Sequence, residues 1–231
     1  MPPLDEAHDA YGQLLLALLE GRESHEVIER DDGYIYAGDP GDYLAPYNKW
    51  PRTEKRALRF VRGRVLDVGC GAGRVALVLQ EKGLEVVAID ESPLAVEVAR
   101  RRGVGDTRAL ALADVDDALG AFDTVLILRN NVGLAGPGDA GRRLLRRLER
   151  LTTDRGRIVT DSVDPSRLEP DHRETASRRI RVRYRNYASA WFRYVMLAPQ
   201  KVELLVAGTG WRVERILDDG SPRYGIVLGK D

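Results

Sequence analysis

Between Arg64 and Arg74 the chain reads Arg-Val-Leu-Asp-Val-Gly-Cys-Gly-Ala-Gly-Arg, a short apolar run that breaks into three alternating glycines. The stretch predicts a buried strand, a tight bend, and a helix beginning near Arg74. Gly69 and Gly71 permit backbone dihedrals closed to residues with a Cβ and let a ligand approach the main chain. Gly73 lets the following helix pack closely on the strand, and the unpaired N–H groups at the start of that helix point into the crevice. Spacing then sorts the possible ligands. A dinucleotide fingerprint, G-x-G-x-x-G/A, puts its last small residue at position 74, where Arg74 stands. No G-x-x-x-x-G-K-[ST] occurs, which excludes a P-loop. A structural turn without ligand is the competing reading.

Downstream, apolar runs and helical patterns alternate. Leu84 to Asp90 predicts a second strand, with Asp90 at its tip, 23 residues beyond Asp67. An acidic residue there accepts hydrogen bonds from both hydroxyls of a ribose. The alternative role, capping the next helix, falls to Ser92, which precedes Pro93 at the first helical position. Thr107 to Ala113 predicts a third strand, closed by Asp114-Val115-Asp116-Asp117, and Phe122 to Leu128 a fourth, followed by Arg129-Asn130-Asn131. Asp139 to Leu151 is an amphipathic helix with leucines inside and arginines on a solvated face. Gly156 to Ser162 is a fifth strand. Alternation of this kind predicts right-handed crossovers and one parallel sheet. The last two strands, near 210–217 and 224–229, are joined by Asp-Asp-Gly-Ser-Pro, a connection so short that only an antiparallel pair can use it.

Asp-x-Gly-x-Gly-x-Gly, with Asp90, Asp114, the fourth-strand loop and the closing hairpin at suitable spacing, resembles the class I S-adenosylmethionine-dependent methyltransferases over roughly residues 60–231. The resemblance implies an α/β fold: a three-layer, Rossmann-like, seven-stranded sheet, mostly parallel with an antiparallel last strand, and helices on both faces. It implies S-adenosylmethionine as cofactor, S-adenosylhomocysteine as product, and in-line displacement at the sulfonium methyl. The cofactor-binding set it implies is Asp67, Gly69, Cys70, Gly71, Gly73, Asp90, Glu91, Asp114, Val115 and Arg129. In the family an acidic residue at the place of Asp114 receives the adenine amino group and the next N–H, that of Val115, a ring nitrogen; Asp116 and Asp117 leave a competing register open. Arg129-Asn130-Asn131 is neither Asn-Pro-Pro-Tyr nor Asp-Pro-Pro-Tyr, which counts against nucleobase and glutamine-amide acceptors.

Charge balances at 36 basic and 36 acidic residues, so nothing draws the whole chain to nucleic acid or to an anionic membrane. A small-molecule acceptor is therefore expected, with the chain a monomer or a homodimer. The single cysteine, Cys70, cannot form an internal disulfide, no segment is apolar and long enough to span a bilayer, and Met-Pro-Pro-Leu-Asp-Glu lacks the basic start of a signal peptide. The cytoplasm is the expected compartment. No His/Cys/Asp cluster has metal-ligand spacing.

Two segments stand outside the alternation. Residues 1–59 read as an N-terminal helical and lid segment in which Tyr43, Tyr47 and Trp50 either cap a core or cover a ligand. An inserted β-hairpin is expected at about 177–197, within the core of residues 60–231; it pairs 178–187 with 189–197 and carries Trp191 as a further cover residue. Arg179, Arg181, Arg183 and Arg185 fall on one strand face, available either to an acidic ligand or to surface ion pairs. Catalytic candidates are Asn130, Asn131 and His172, each with an ordinary turn or surface role as its alternative. A non-catalytic binder of the same cofactor or its product, and an NAD-dependent oxidoreductase, are the other function classes; Arg74 argues against the second.

Overall fold

The computed structural model describes residues 4–135 and 138–231, so the first three residues of the expected lid segment lie outside it. In chain order the strands are β1 (Glu26–Arg30), β2 (Ile35–Gly38), β3 (Val65–Val68), β4 (Val86–Asp90), β5 (Asp106–Ala109), β6 (Phe122–Ile127), β7 (Thr152–Val163), β8 (Arg179–Tyr184), β9 (Tyr187–Ala188), β10 (Phe192–Arg193), β11 (Trp211–Leu217) and β12 (Arg223–Lys230). The α-helices are α1 (Ala10–Leu19), α2 (Arg52–Ala57), α3 (Arg74–Glu81), α4 (Pro93–Arg101), α5 (Asp139–Arg150), α6 (Pro170–Arg173) and α7 (Val202–Val206).

Seven strands form one sheet in the order β11-β12-β7-β6-β3-β4-β5. Pairs β3–β6, β6–β7 and β4–β5 are parallel, and β12 runs antiparallel to both β7 and β11. This is the mostly parallel sheet with an antiparallel last strand that the sequence predicts. β3 and β4 are buried at every position, the continuous apolar pattern of parallel strands covered on both faces.

A second sheet has the order β10-β8-β1-β2, with β9 hairpinned onto β8. Within the expected pairing of 178–187 with 189–197, β8 does neighbour β10, over Phe192–Arg193 alone; what the sequence did not predict is its other partner. On its other edge β8 is matched to β1, from Val27↔Arg183 to Arg30↔Ile180, and β9 adds a tight turn at Arg183↔Ala188 and Tyr184↔Tyr187. Other boundaries move as well. The third strand ends at Ala109 and gives way to a 3-10 turn at Leu112–Asp114, and β7 begins four residues before Gly156.

The chain divides into two compact units. One comprises Met1–Trp50, Gly69–Asp114 and Arg178–Phe192. Its core holds Leu15, Ala72, Ala95 and Val98, with Tyr11, Leu16, Tyr43 and Leu44 packed against them. The other comprises Pro51–Val68, Val115–Ser177 and Arg193–Asp231. There Trp211 is buried and donates its indole N–H to the Leu145 carbonyl at 2.9 Å.

Candidate active site

In the first unit the chain emerges from the end of β3 into the glycine turn. Gly69, Gly71 and Gly73 all take positive φ, at 69°, 52° and 71°, a region that L side chains enter only with strain. The Gly69 and Cys70 N–H groups both donate to the Ile89 carbonyl, at 2.9 and 3.0 Å, which lashes the turn to the tip of β4. A Cβ on Gly73 would stand 2.4 Å from Val104 Cγ2 and 3.0 Å from the Ala99 Cβ, so its bareness serves the close packing of α3 against the end of α4. On Gly71 a Cβ would stand 2.9 Å from the Tyr11 hydroxyl. Cys70 is buried inside the turn.

Asp90 follows directly. Its Oδ2 accepts the Gly71 N–H at 2.9 Å and its Oδ1 accepts the Ser92 N–H at 3.0 Å. Burial pushes its carboxyl up to about 6, against the pull of the two backbone donors. Each oxygen keeps a further lone pair for a hydroxyl donor. Ser92 caps α4 as the Ser-Pro pair predicts, its Oγ accepting the Ala95 N–H at 2.9 Å. The same Oγ donates to Asp9 Oδ2 at 2.7 Å, and Asp9 Oδ1 caps α1 by accepting the Gly12 N–H at 2.8 Å. Asp9, buried just before α1, thus braces Ser92, two residues beyond Asp90. Glu91 lies at the surface, its carboxyl held above the ordinary range by partial desolvation and by the Asp9 charge.

The remaining expected residues scatter. Asp114 is exposed at the end of its 3-10 turn, while Val115, on the other unit, is buried; the Asp117 side chain lies outside the described residues. Tyr43 donates to the Glu26 carboxylate and meets Tyr11 edge-on at 5.2 Å between centroids. Tyr47 and Trp50 form a separate pair, ring on edge at 5.1 Å, with the Arg74 guanidinium 4.1 Å over Trp50 and the Lys82 ammonium 5.2 Å from Tyr47. Trp191 lies under Arg181, at 4.5 Å. Arg181 and Arg183 both bind the Glu29 carboxylate, which they hold down at about 2, so ion pairing takes up this part of the arginine row. Arg185 leaves the row, sitting in the β8–β9 turn at φ 52°.

In the second unit, Asp67 is buried near the end of β3. Arg129 and Asn130 follow β6 with consecutive positive φ values of 64° and 61°. Asn130 is completely buried, and its amide is committed at both ends: Nδ2 donates to the Val195 carbonyl at 3.0 Å and Oδ1 accepts from Ser162 Oγ at 2.7 Å. Its backbone N–H donates to Asp161 Oδ1 at 2.6 Å, and Arg223 holds Asp161 Oδ2 at 3.0 Å. The Tyr194 hydroxyl donates to the Arg129 carbonyl at 3.2 Å. Asn131 is half-buried, and His172 is exposed on α6. Sequence reading missed Asp9, Asp161 and Arg223, single polar residues with no local motif.

Residues 65–156 match a family model described as a methyltransferase domain. The fold superposes with a TM-score of 0.86 on a SAM-dependent methyltransferase from Bacteroides fragilis solved in complex with S-adenosyl-L-homocysteine; the two are 27% identical, over 98% of this chain and 97% of that one. Both likenesses support the class I S-adenosylmethionine-dependent methyltransferase family for this chain. Among curated methyltransferases, the magnesium-protoporphyrin O-methyltransferase of Rhodobacter capsulatus is 36% identical over 85 residues, 35% of this chain and 38% of that protein. A probable cobalt-precorrin-6B C(15)-methyltransferase (decarboxylating) of Pyrobaculum aerophilum is 34% identical over 129 residues, 52% of this chain and 64% of that protein. The chain thus spans about a third to two thirds of the length of these two relatives. Among the described residues no helix is long and apolar enough to cross a membrane, and no His/Cys/Asp/Glu group could hold a metal ion.

Proposed function

We propose that this methyltransferase moves the sulfonium methyl of S-adenosylmethionine to a small-molecule acceptor by in-line displacement, in the cytoplasm. One observation carries the cofactor half: a buried carboxylate at the tip of β4, hydrogen-bonded to the central glycine of the turn, each of its oxygens with lone-pair capacity left for a ribose hydroxyl. The donor set fits a nucleoside. Gly69, Gly71 and Gly73 supply main chain at positive φ, with Cys70 buried among them; Asp90 is assigned to the sugar diol, and Glu91 and Asp114 to the rest of the nucleoside.

S-adenosylmethionine brings an already activated methyl, so the chain's work is orientation and exclusion of water. Orientation of this kind is worth about 7–11 kcal/mol in favourable systems. Tyr11, over Gly71 and edge-on to Tyr43, supports a cover formed by the N-terminal segment. Asn130 we assign to positioning: with both amide ends bound inside the protein, it fixes the loop after β6. The charge balance supports a small acceptor over nucleic acid.

Calorimetric titration with S-adenosylmethionine, S-adenosylhomocysteine and NAD in parallel, on wild type and Asp90→Ala, tests the reading. The first two should bind and lose affinity in the variant. Binding of NAD alone would overturn it.

A further inference from the structure

The second unit carries a charged pocket remote from the carboxyl ends of the parallel strands. It encloses about 210 Å³ and is lined by Arg62, Arg155, Arg157, Arg212 and Lys230 against Asp154 and Glu214. In a chain whose net charge is zero, this is a local excess of three positive charges.

Two bulges build it. Between β6 and β7 the register passes from Phe122↔Thr152 to Thr124↔Arg157, so residues 153–156 are looped out, carrying Asp154 and Arg155. Between β11 and β12 it passes from Val213↔Leu228 to Arg215↔Val227, leaving Glu214 as the extra residue. Bulges re-aim side chains at the rims of sheets. Glu214 folds across Gly229, where a Cβ would come within 2.2 Å of its Oε1, and it pairs with Arg212 at 3.4 Å. Lys230 is paired with Glu149 at 3.2 Å.

Those pairs leave Arg62, Arg155 and Arg157 facing Asp154 as the only other carboxylate of the pocket lining. Arg157 donates one N–H to the Phe60 carbonyl at 3.2 Å, but its Nε is buried and has no hydrogen-bond partner among the described residues. Burial and the neighbouring Arg62 charge both depress its guanidinium. A buried donor left unsatisfied costs about 1–3 kcal/mol, more for a charged group, and the Arg62 charge beside Arg157 adds repulsion that Glu214 offsets only in part. An oxyanion would satisfy the Arg157 Nε and offset the excess positive charge, since a guanidinium matches a phosphate in fork geometry.

We propose that this pocket, at the amino end of β7, is a binding site for a small multivalent oxyanion of the phosphate class. Volume sets the size limit: drug-sized ligands take clefts of about 300–1,000 Å³, so 210 Å³ suits a phosphate or pyrophosphate group. The cofactor turn and the Asn130 loop follow the carboxyl ends of their strands. Asp161, beside that loop, is four residues from Arg157 along the paired part of β7, about 13 Å in an extended strand.

Titration of the full chain with pyrophosphate, phosphate and sulfate at constant ionic strength set by chloride reads the site directly. One pyrophosphate per chain should bind, with phosphate weaker, and the unfolding midpoint should rise with it. Arg157→Gln should weaken pyrophosphate binding about tenfold or more, the scale of one charged hydrogen bond. If that variant folds poorly, Arg212→Gln, at an exposed position, should weaken it a few-fold with the unfolding midpoint unchanged. Absence of saturable binding at millimolar pyrophosphate, or equal affinity in wild type and both variants, overturns the proposal. So does a short single-stranded oligonucleotide that binds more tightly than pyrophosphate and whose affinity collapses with salt, which would make the patch a polynucleotide surface.

Discussion

The Asp90 carboxylate accepts the Gly71 N–H at 2.9 Å, so the acid assigned to the ribose and the bare turn assigned to the rest of the cofactor are one hydrogen-bonded assembly. Burial raises this carboxyl from 3.8 to about 6. Between those values the folded chain holds a proton that the unfolded chain has lost. The contribution of Asp90 to stability therefore falls as pH rises from about 4 to 6, by ~3 kcal/mol over the whole step. Ribose hydroxyls need the ionised form as acceptor, so affinity for S-adenosylhomocysteine should hold above pH 6 and drop about tenfold per pH unit below it. Asp90→Ala should cost about 2–4 kcal/mol of binding, from two charge-assisted hydrogen bonds. Calorimetry from pH 5 to 8 checks both, and an unchanged affinity in the variant would remove Asp90 from the site.

Gly73 separates a packing role from a merely flexible one. Alanine there would sit at φ 71° and press into Val104 and Ala99. Left-handed strain of about 1–2 kcal/mol and overpacking of about 1–3 kcal/mol should lower stability by about 2–5 kcal/mol. Gly83 has φ 80° with nothing within 4 Å of its missing Cβ. Gly83→Ala should lose only the strain. Urea unfolding of the two variants gives the contrast, and equal losses would mean that crowding at Gly73 is relieved by local movement.

The parallel sheet was legible because β3, β4 and β6 are covered apolar runs, and because Ser92-Pro93 and the alternating glycines are local signals that burial and sterics read without help from elsewhere. The β1–β2 hairpin was not. Glu26-Val27-Ile28-Glu29-Arg30 has the alternation of a half-buried strand and Asp31-Asp32-Gly33 its turn, but the charges of Glu29 and Arg30 are acceptable only once Arg181, Arg183 and Asp32 are known to meet them. Such partners lie up to 154 residues away, where no sequence window reaches. Asn130 shows the same limit. Its sequence neighbours suggest a polar loop open to ligand, whereas Ser162 and Val195, distant in sequence, enclose it.

Asp9 offers a test of coupling between α1 and the ribose acid. Asp9→Ala removes a helix cap, worth about 0.5–2 kcal/mol, and strips the acceptor from the buried Ser92 hydroxyl, about 1–3 kcal/mol more. Asp9→Asn keeps an oxygen for the Gly12 N–H and should be milder. In both, the negative charge that helps raise Asp90 is gone. The pH at which cofactor affinity breaks should then move below 6, and a break that stays in place would show that Asp9 acts on packing alone.

Asn130 holds its loop with a backbone that few residues tolerate, at φ 61° beside Arg129 at 64°. Asn130→Ala adds left-handed strain and leaves the Ser162 hydroxyl without its acceptor and the Val195 carbonyl without that donor. A loss of about 2–4 kcal/mol follows from strain and unsatisfied polar groups together. Asn130→Gly relieves the strain but not the polar loss, so it should fall between the alanine variant and wild type. The Leu197 N–H, which donates to Ser162 Oγ at 3.0 Å, reports the network. Its hydrogen exchange should quicken in both variants, and unchanged protection would mean that segment 193–197 is held by other contacts.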